Sequence, residues 1–158
     1  MRLKHLITSA VVSLYGLTMM AQPDEKDVMK AMELANSHFI NKYPDPGVPT
    51  FVKKERPSNL WTRAVYFEGL TALAELQRLM GHPGYDKNYD YMSRWGEAHN
   101  WTPRNGAGTR DADDYCCCQT YLDMYWMESK GVTPHKKSAS YIPSKQCLDN
   151  IIAAENTP

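Results

Sequence analysis

From Asp24 onward, apolar residues recur at intervals of three and four, the spacing that gathers them on one side of an α-helix. Asp24 to Tyr43 carries Val28, Met29, Met32, Leu34, Ala35, Phe39 and Ile40 and ends before Pro44. The Pro- and Gly-bearing stretch Pro44 to Pro57 predicts a loop. Ser58 or Asn59 can then cap a second helix that runs to Met80 and is stopped by Gly81. Its apolar residues Leu60, Trp61, Ala64, Val65, Phe67, Leu70, Leu73, Leu76 and Leu79 cover more than one face, so other helices must flank it. Tyr89, Met92, Trp95 and Ala98 place a third helix over Tyr85 to Asn100, and Trp101 to Arg110, with Pro103, Gly106 and Gly108, is a loop. A fourth helix runs from the Asp111–Asp114 cluster to about Lys130, where Gly131 closes it. After the polar stretch Gly131 to Ser140, Pro143 and Ser144 open a fifth, Lys145 to Glu155. No strand pattern of consequence is present and no consensus recurs at a fixed period. The pattern predicts an all-α fold in which consecutive helices pack as antiparallel hairpins.

The segment before Asp24 is of another kind. Arg2, Lys4 and His5 precede Leu6 to Met20, which is mostly apolar and uncharged, and Ala21 stands before Gln22-Pro23-Asp24-Glu25. That apolar core is short for a membrane span and suits an export signal cut after Ala21, although Met19 is bulky for its position. The reading is an exported chain, periplasmic or secreted, with no membrane segment after cleavage. Residues 22–158 form one small domain, long enough for a core of its own. Loss of Arg2 and Lys4 leaves 16 basic against 18 acidic side chains, which argues against a nucleic-acid partner.

Cysteine adds little chemistry. Cys116, Cys117 and Cys118 on one helix point about 100° apart and cannot all face one ion. His82, His99 and His135 share no metal spacing either, so neither a metal nor another cofactor is expected. Small buried thiols are the favoured reading of the triplet and Cys147; a bridge between them is the alternative open to an exported chain.

The candidate chemistry lies at Asp111, Asp113 and Asp114. One carboxylate suffices to cap a helix start. Three of them, followed by Tyr115, Tyr121, Tyr125 and Trp126, suggest a carbohydrate site in which a carboxylate is framed by rings. Trp101 and His99 flank the loop at the same end of the domain as the Asp cluster. Arg110, beside the cluster, suits a ligand's carboxylate in bidentate fashion or an ion pair with Asp111 or Asp113. Trp61, Trp95 and Trp126, on helical patterns, read first as core.

Four pieces in order now resemble a known group. They are Trp61-Thr62-Arg63-Ala64-Val65-Tyr66-Phe67-Glu68-Gly69-Leu70, Tyr89-Asp90-Tyr91-Met92-Ser93-Arg94-Trp95, Ala112-Asp113-Asp114 with Gln119-Thr120-Tyr121-Leu122-Asp123-Met124-Tyr125, and Ile142-Pro143-Ser144-Lys145 through Ile151-Ile152. Together, over about residues 26 to 156, they resemble the unsaturated uronyl hydrolases of glycoside hydrolase families 88 and 105, the latter including the unsaturated rhamnogalacturonyl hydrolases. Where relatives often carry glycine before the Gln, this chain has Cys118.

The resemblance implies an (α/α)6 barrel and an oligosaccharide substrate ending in an unsaturated uronic acid, of pectin or rhamnogalacturonan type. It implies hydration of the sugar's C4=C5 double bond, with no cofactor. It makes Asp113 or Asp114 the first important carboxylate, leaving open which of the two acts and which caps, with Arg110, Trp101 and His99 as substrate-binding candidates. In the group, a Trp-rich motif holding the general-acid aspartate follows the segment resembling residues 142–158. The resemblance therefore implies a truncated chain, the first helices of the barrel, inactive by itself. A non-catalytic helical module that binds carbohydrate or protein is the alternative reading.

Overall fold

The computed structural model describes residues 24–130 and 139–155. The predicted export segment, the closing Gly131 and His135 lie outside the described residues. The chain divides into two compact units, Met1–Met32 and Glu33–Pro158. Of the first, the described part is Asp24 and the opening turns of α1.

Among the described residues, helix dominates, as the periodicity predicts. The helices are α1 (Glu25–Lys42), α2 (Trp61–Leu79), α3 (Gly84–Ala98), the single turn α4 (Ala112–Tyr115), α5 (Cys118–Ser129) and α6 (Ile142–Glu155). Helix α2 is flanked by both α3 and α5, and α6 packs on α5. This is the two-sided packing that its broad apolar surface requires. Its end also follows the sequence: Gly81 takes a left-handed φ of 63°, where a side chain would be strained.

Three local expectations need correction. The stretch 44–57 is not all loop. Thr50–Val52 (β1) and Lys54–Arg56 (β2) pair antiparallel, Phe51 opposite Glu55, around Lys53 at φ 63°. Three-residue strands are too short to show an alternating pattern. Neither Ser58 nor Asn59 caps α2; Leu60 occupies that position without a side-chain bond. Both residues are instead buried, and the Ser58 hydroxyl is engaged elsewhere.

The fourth predicted helix is interrupted at Cys116–Cys117, although both residues keep near-helical angles. The cause lies in the preceding loop. The Arg104 amide donates to the Asp114 carbonyl at 3.1 Å, taking the acceptor that the Cys118 amide would use in an unbroken helix.

The core of the larger unit is aromatic. Phe67 of α2 stacks on Trp95 of α3 at 3.7 Å between ring centroids, Trp95 meets Tyr121 of α5 at 5.0 Å, and Tyr121 meets Trp101 edge-on at 5.4 Å. A polar chain crosses beside it. Tyr66 donates to Asn36, Asn36 to Asn88, Asn88 to Gln77 and Gln77 to Glu33, at 2.6–2.9 Å. Each amide in it both gives and receives, which is what makes burial of Gln77 and Asn88 tolerable. All four cysteines are free thiols, three buried and Cys116 half-buried, in line with the favoured reading.

Candidate functional site: an aspartate-anchored loop and an acidic groove

Residues 101–110 form a loop whose shape is set from three sides. Its entry needs left-handed backbone at Asn100 (φ 51°) and Trp101 (φ 54°), and its middle at Asn105 and Gly106. The buried Trp101 ring holds the entry. It lies so close over α3 that a Cβ on Gly96 would sit 2.2 Å from the indole. Glycine there is a steric requirement.

Asp114 holds the middle. Its side chain is only 3% exposed. Oδ1 accepts from Arg104 Nη1 at 3.1 Å, while Oδ2 accepts from Asn105 Nδ2 and Thr109 Oγ1, each at 2.8 Å. Helix α6 closes the far side, with Asn150 Nδ2 donating to the Ala107 carbonyl at 2.9 Å and the Cys147 thiol facing the Thr109 carbonyl at 3.9 Å.

The five predicted site residues therefore separate. Asp113 and Arg110 are exposed at the surface of this loop and turn, while Asp114 is buried beneath it. The cap of α4 is neither member of the Asp113–Asp114 pair but Asp111, whose Oδ1 accepts from the Asp113 amide at 3.0 Å. Arg110 forms no ion pair with Asp111 or Asp113; it lines a shallow recess of about 370 Å³ with Gly108, Asn150, Ala153 and Ala154. The structure buries Trp101 in the core, and His99 is tied from α3 to the segment before α2. The Ser58 hydroxyl donates to the Gly47 carbonyl at 3.1 Å, so at 2.5 Å it accepts from His99 Nε2, which fixes the tautomer. Burial, with Arg63 adding to it, holds the His99 pKa below its ordinary value and so favours the neutral ring.

A second feature is a groove of about 450 Å³ between α2 and α5. Glu68, Thr71, Ala72 and Glu75 form one wall, and Gln119, Asp123, Trp126 and Met127 the other. Trp126 is 52% exposed and Trp61 44%, so of the three helical tryptophans only Trp95 is core. Arg78 takes Glu75 in a two-point pair at 3.1 and 2.6 Å, which lowers the Glu75 pKa. The Asp123 carboxyl is pushed above its ordinary range, first by burial and then by the Glu68 charge. Burial and Glu68 also raise the Cys116 thiol. The signal for this groove was present in the spacing. Gln119, Asp123 and Trp126 fall at i, i+4 and i+7, as do Glu68, Ala72 and Glu75, so each set forms a stripe with carboxylates along one face of its helix.

Among the described residues, no group of three His, Cys, Asp or Glu is placed to hold a metal ion, and no helix is long and apolar enough to cross a membrane. The family model described as Glycosyl Hydrolase Family 88 matches residues 31–146, a span that contains both the anchored loop and the groove. Neither a curated protein nor a solved structure matches the chain.

Proposed function

The chain belongs to Glycosyl Hydrolase Family 88, a family of α/α barrels, and on that basis we propose that it acts on oligosaccharides ending in an unsaturated uronic acid. The reaction is hydration of the C4=C5 double bond. That bond is an enol ether, electron-rich at C4, so C4 takes the proton and the water oxygen adds at C5. The resulting hemiketal opens and the neighbouring sugar is released. A carboxyl group poised to give and take a proton suits both halves of this step.

The observation that carries the reading is the family match across residues 31–146, which spans Arg110, Asp113 and Asp114. Within that span the two aspartates have unlike surroundings. Asp114 has both carboxylate oxygens engaged inward, by Arg104, Asn105 and Thr109, so its role is to hold the loop. Asp113 is exposed one residue earlier and is the carboxylate we assign to the sugar. Arg110, exposed on the same loop, offers a planar pair of N–H donors to the uronate carboxylate. Trp101 and His99 support the loop from below. The task we assign to Arg110 and Asp113 is to grip and orient the substrate. We also take the chain to be exported, since the segment before Gln22 has the build of an export signal.

The test is calorimetric titration of the protein with an unsaturated uronyl–rhamnose disaccharide, prepared with a polysaccharide lyase. Saturable binding is expected, weakened at least tenfold by Arg110→Gln and by Asp113→Asn, with unchanged melting in both variants. Absence of saturable binding, or variants that bind like the parent, would remove the assignment.

A further inference from the structure

We infer that the groove between α2 and α5 is a subsite for a neutral sugar unit, separate from the loop that takes the uronate. The inference rests on the carbohydrate reading above for the class of ligand, and on the groove itself for the kind of sugar. Its size, about 450 Å³, lies within the range of small-ligand pockets. Its walls combine what a sugar ring needs. An indole offers an apolar face to ring C–H groups, and carboxylates and amides meet the hydroxyls around the edge.

Trp126 supplies the face. The Lys130 ammonium sits 3.4 Å from the centroid on one side of the ring, and the residue is still half exposed where it lines the groove. Across from it, Ala72 of α2 is small and leaves room. Glu68, Gln119 and Asp123 supply the edge.

The charges decide which sugar fits. Arg78 neutralises Glu75. No cation pairs with Glu68 or Asp123 among the described residues, and the two carboxylates line the same groove from facing helices, Asp123 being raised first by burial and then by the Glu68 charge. A ligand carrying a carboxylate would add a third negative charge to that pair. A hydroxyl-rich neutral ring instead donates hydrogen bonds to both acids and relieves the repulsion. The groove therefore favours an uncharged sugar unit over a uronate.

The experiment titrates the full chain with methyl α-L-rhamnoside as the neutral probe and with galacturonate as the anionic one, following tryptophan fluorescence and heat. The rhamnoside should saturate with an affinity on the order of millimolar, galacturonate at least tenfold more weakly. Trp126→Ala should lose the rhamnoside signal and Trp126→Phe should restore binding. Combining Glu68→Gln with Asp123→Asn should narrow the preference over galacturonate. Asp113→Asn should leave rhamnoside affinity unchanged, which separates this groove from the uronate-binding loop. If the unsaturated disaccharide fails to bind while the rhamnoside saturates, the proposed function falls and the neutral subsite stands. A rhamnoside that does not saturate, that binds Trp126→Ala as it binds the parent, or that galacturonate equals would overturn the subsite.

Discussion

Replacing Asp114 should cost much more stability than replacing Asp113, although the two are neighbours of identical chemistry. In Asp114→Ala, three hydrogen bonds to a charged acceptor disappear at once: those from Arg104, Asn105 and Thr109. A bond to a charged group contributes about 1.5–3 kcal/mol, but bonds sharing one carboxylate are not additive. Arg104 is 36% exposed and can be rehydrated, which weakens its share. The expected loss is therefore about 3–4 kcal/mol, toward the lower end of what breaking a buried pair costs.

Asp114→Asn keeps one carbonyl oxygen. It can still serve Asn105 and Thr109, but it turns an amide NH2 toward the Arg104 guanidinium, so about 1.5–3 kcal/mol should be lost. Against a total stability of about 5–15 kcal/mol these are large effects. Urea denaturation of the parent, both Asp114 variants and Asp113→Asn measures them, with the midpoint shifting at constant slope if stability alone has changed. An Asp114→Ala variant within about 1 kcal/mol of the parent, or an Asp113 variant that loses as much, would refute the anchoring argument. It would also reopen the assignment of roles within the pair.

Gly96→Ala should destabilise by about 1–3 kcal/mol or more, because its Cβ would enter the rigid Trp101 indole at 2.2–2.5 Å; thermal melting checks this. The His99 pKa is lowered in the folded chain, so the unfolded chain binds the proton first as pH falls. Stability should then be full above the ordinary value of 6.5 and decline below it. The melting temperature of His99→Gln should be flatter across that window, and an equally steep decline would contradict the assignment. Alkylation followed by mass spectrometry should find four free thiols, Cys116 reacting first and Cys117, Cys118 and Cys147 only on unfolding; fewer than four would reveal a bridge. Mass spectrometry of exported material should give an N-terminus at Gln22, and an intact Met1 there would exclude cleavage after Ala21.

Helix was legible in this chain because its apolar positions follow a single period over long segments. Val28 through Ile40, Leu60 through Leu79 and Tyr89 through Ala98 needed no partner to be read, and the two-sided apolar surface of α2 announced its two neighbours. Gly81 marked a helix end for a local reason, its left-handed φ. The order of motifs led to the family. What the sequence could not decide was the destination of side chains whose partners lie far along the chain. Ser58 and Asn59 have the chemistry of caps, yet packing buries both, and the Ser58 hydroxyl bonds Gly47 and His99. Three adjacent aspartates look alike as letters. Asp111 caps, Asp113 faces solvent, and Asp114 turns inward, because Arg104, Asn105 and Thr109 converge on it from a loop whose path is set by Trp101 packed over Gly96. The same loop takes the Asp114 carbonyl and breaks a helix that local pattern predicts to be continuous. The acidic groove arises in the same way: its stripes were visible on α2 and on α5 separately, and only the packing of those two helices brings Glu68 to Asp123. Periodicity is a property of neighbours along the chain, whereas pairing of polar groups is a property of neighbours in space.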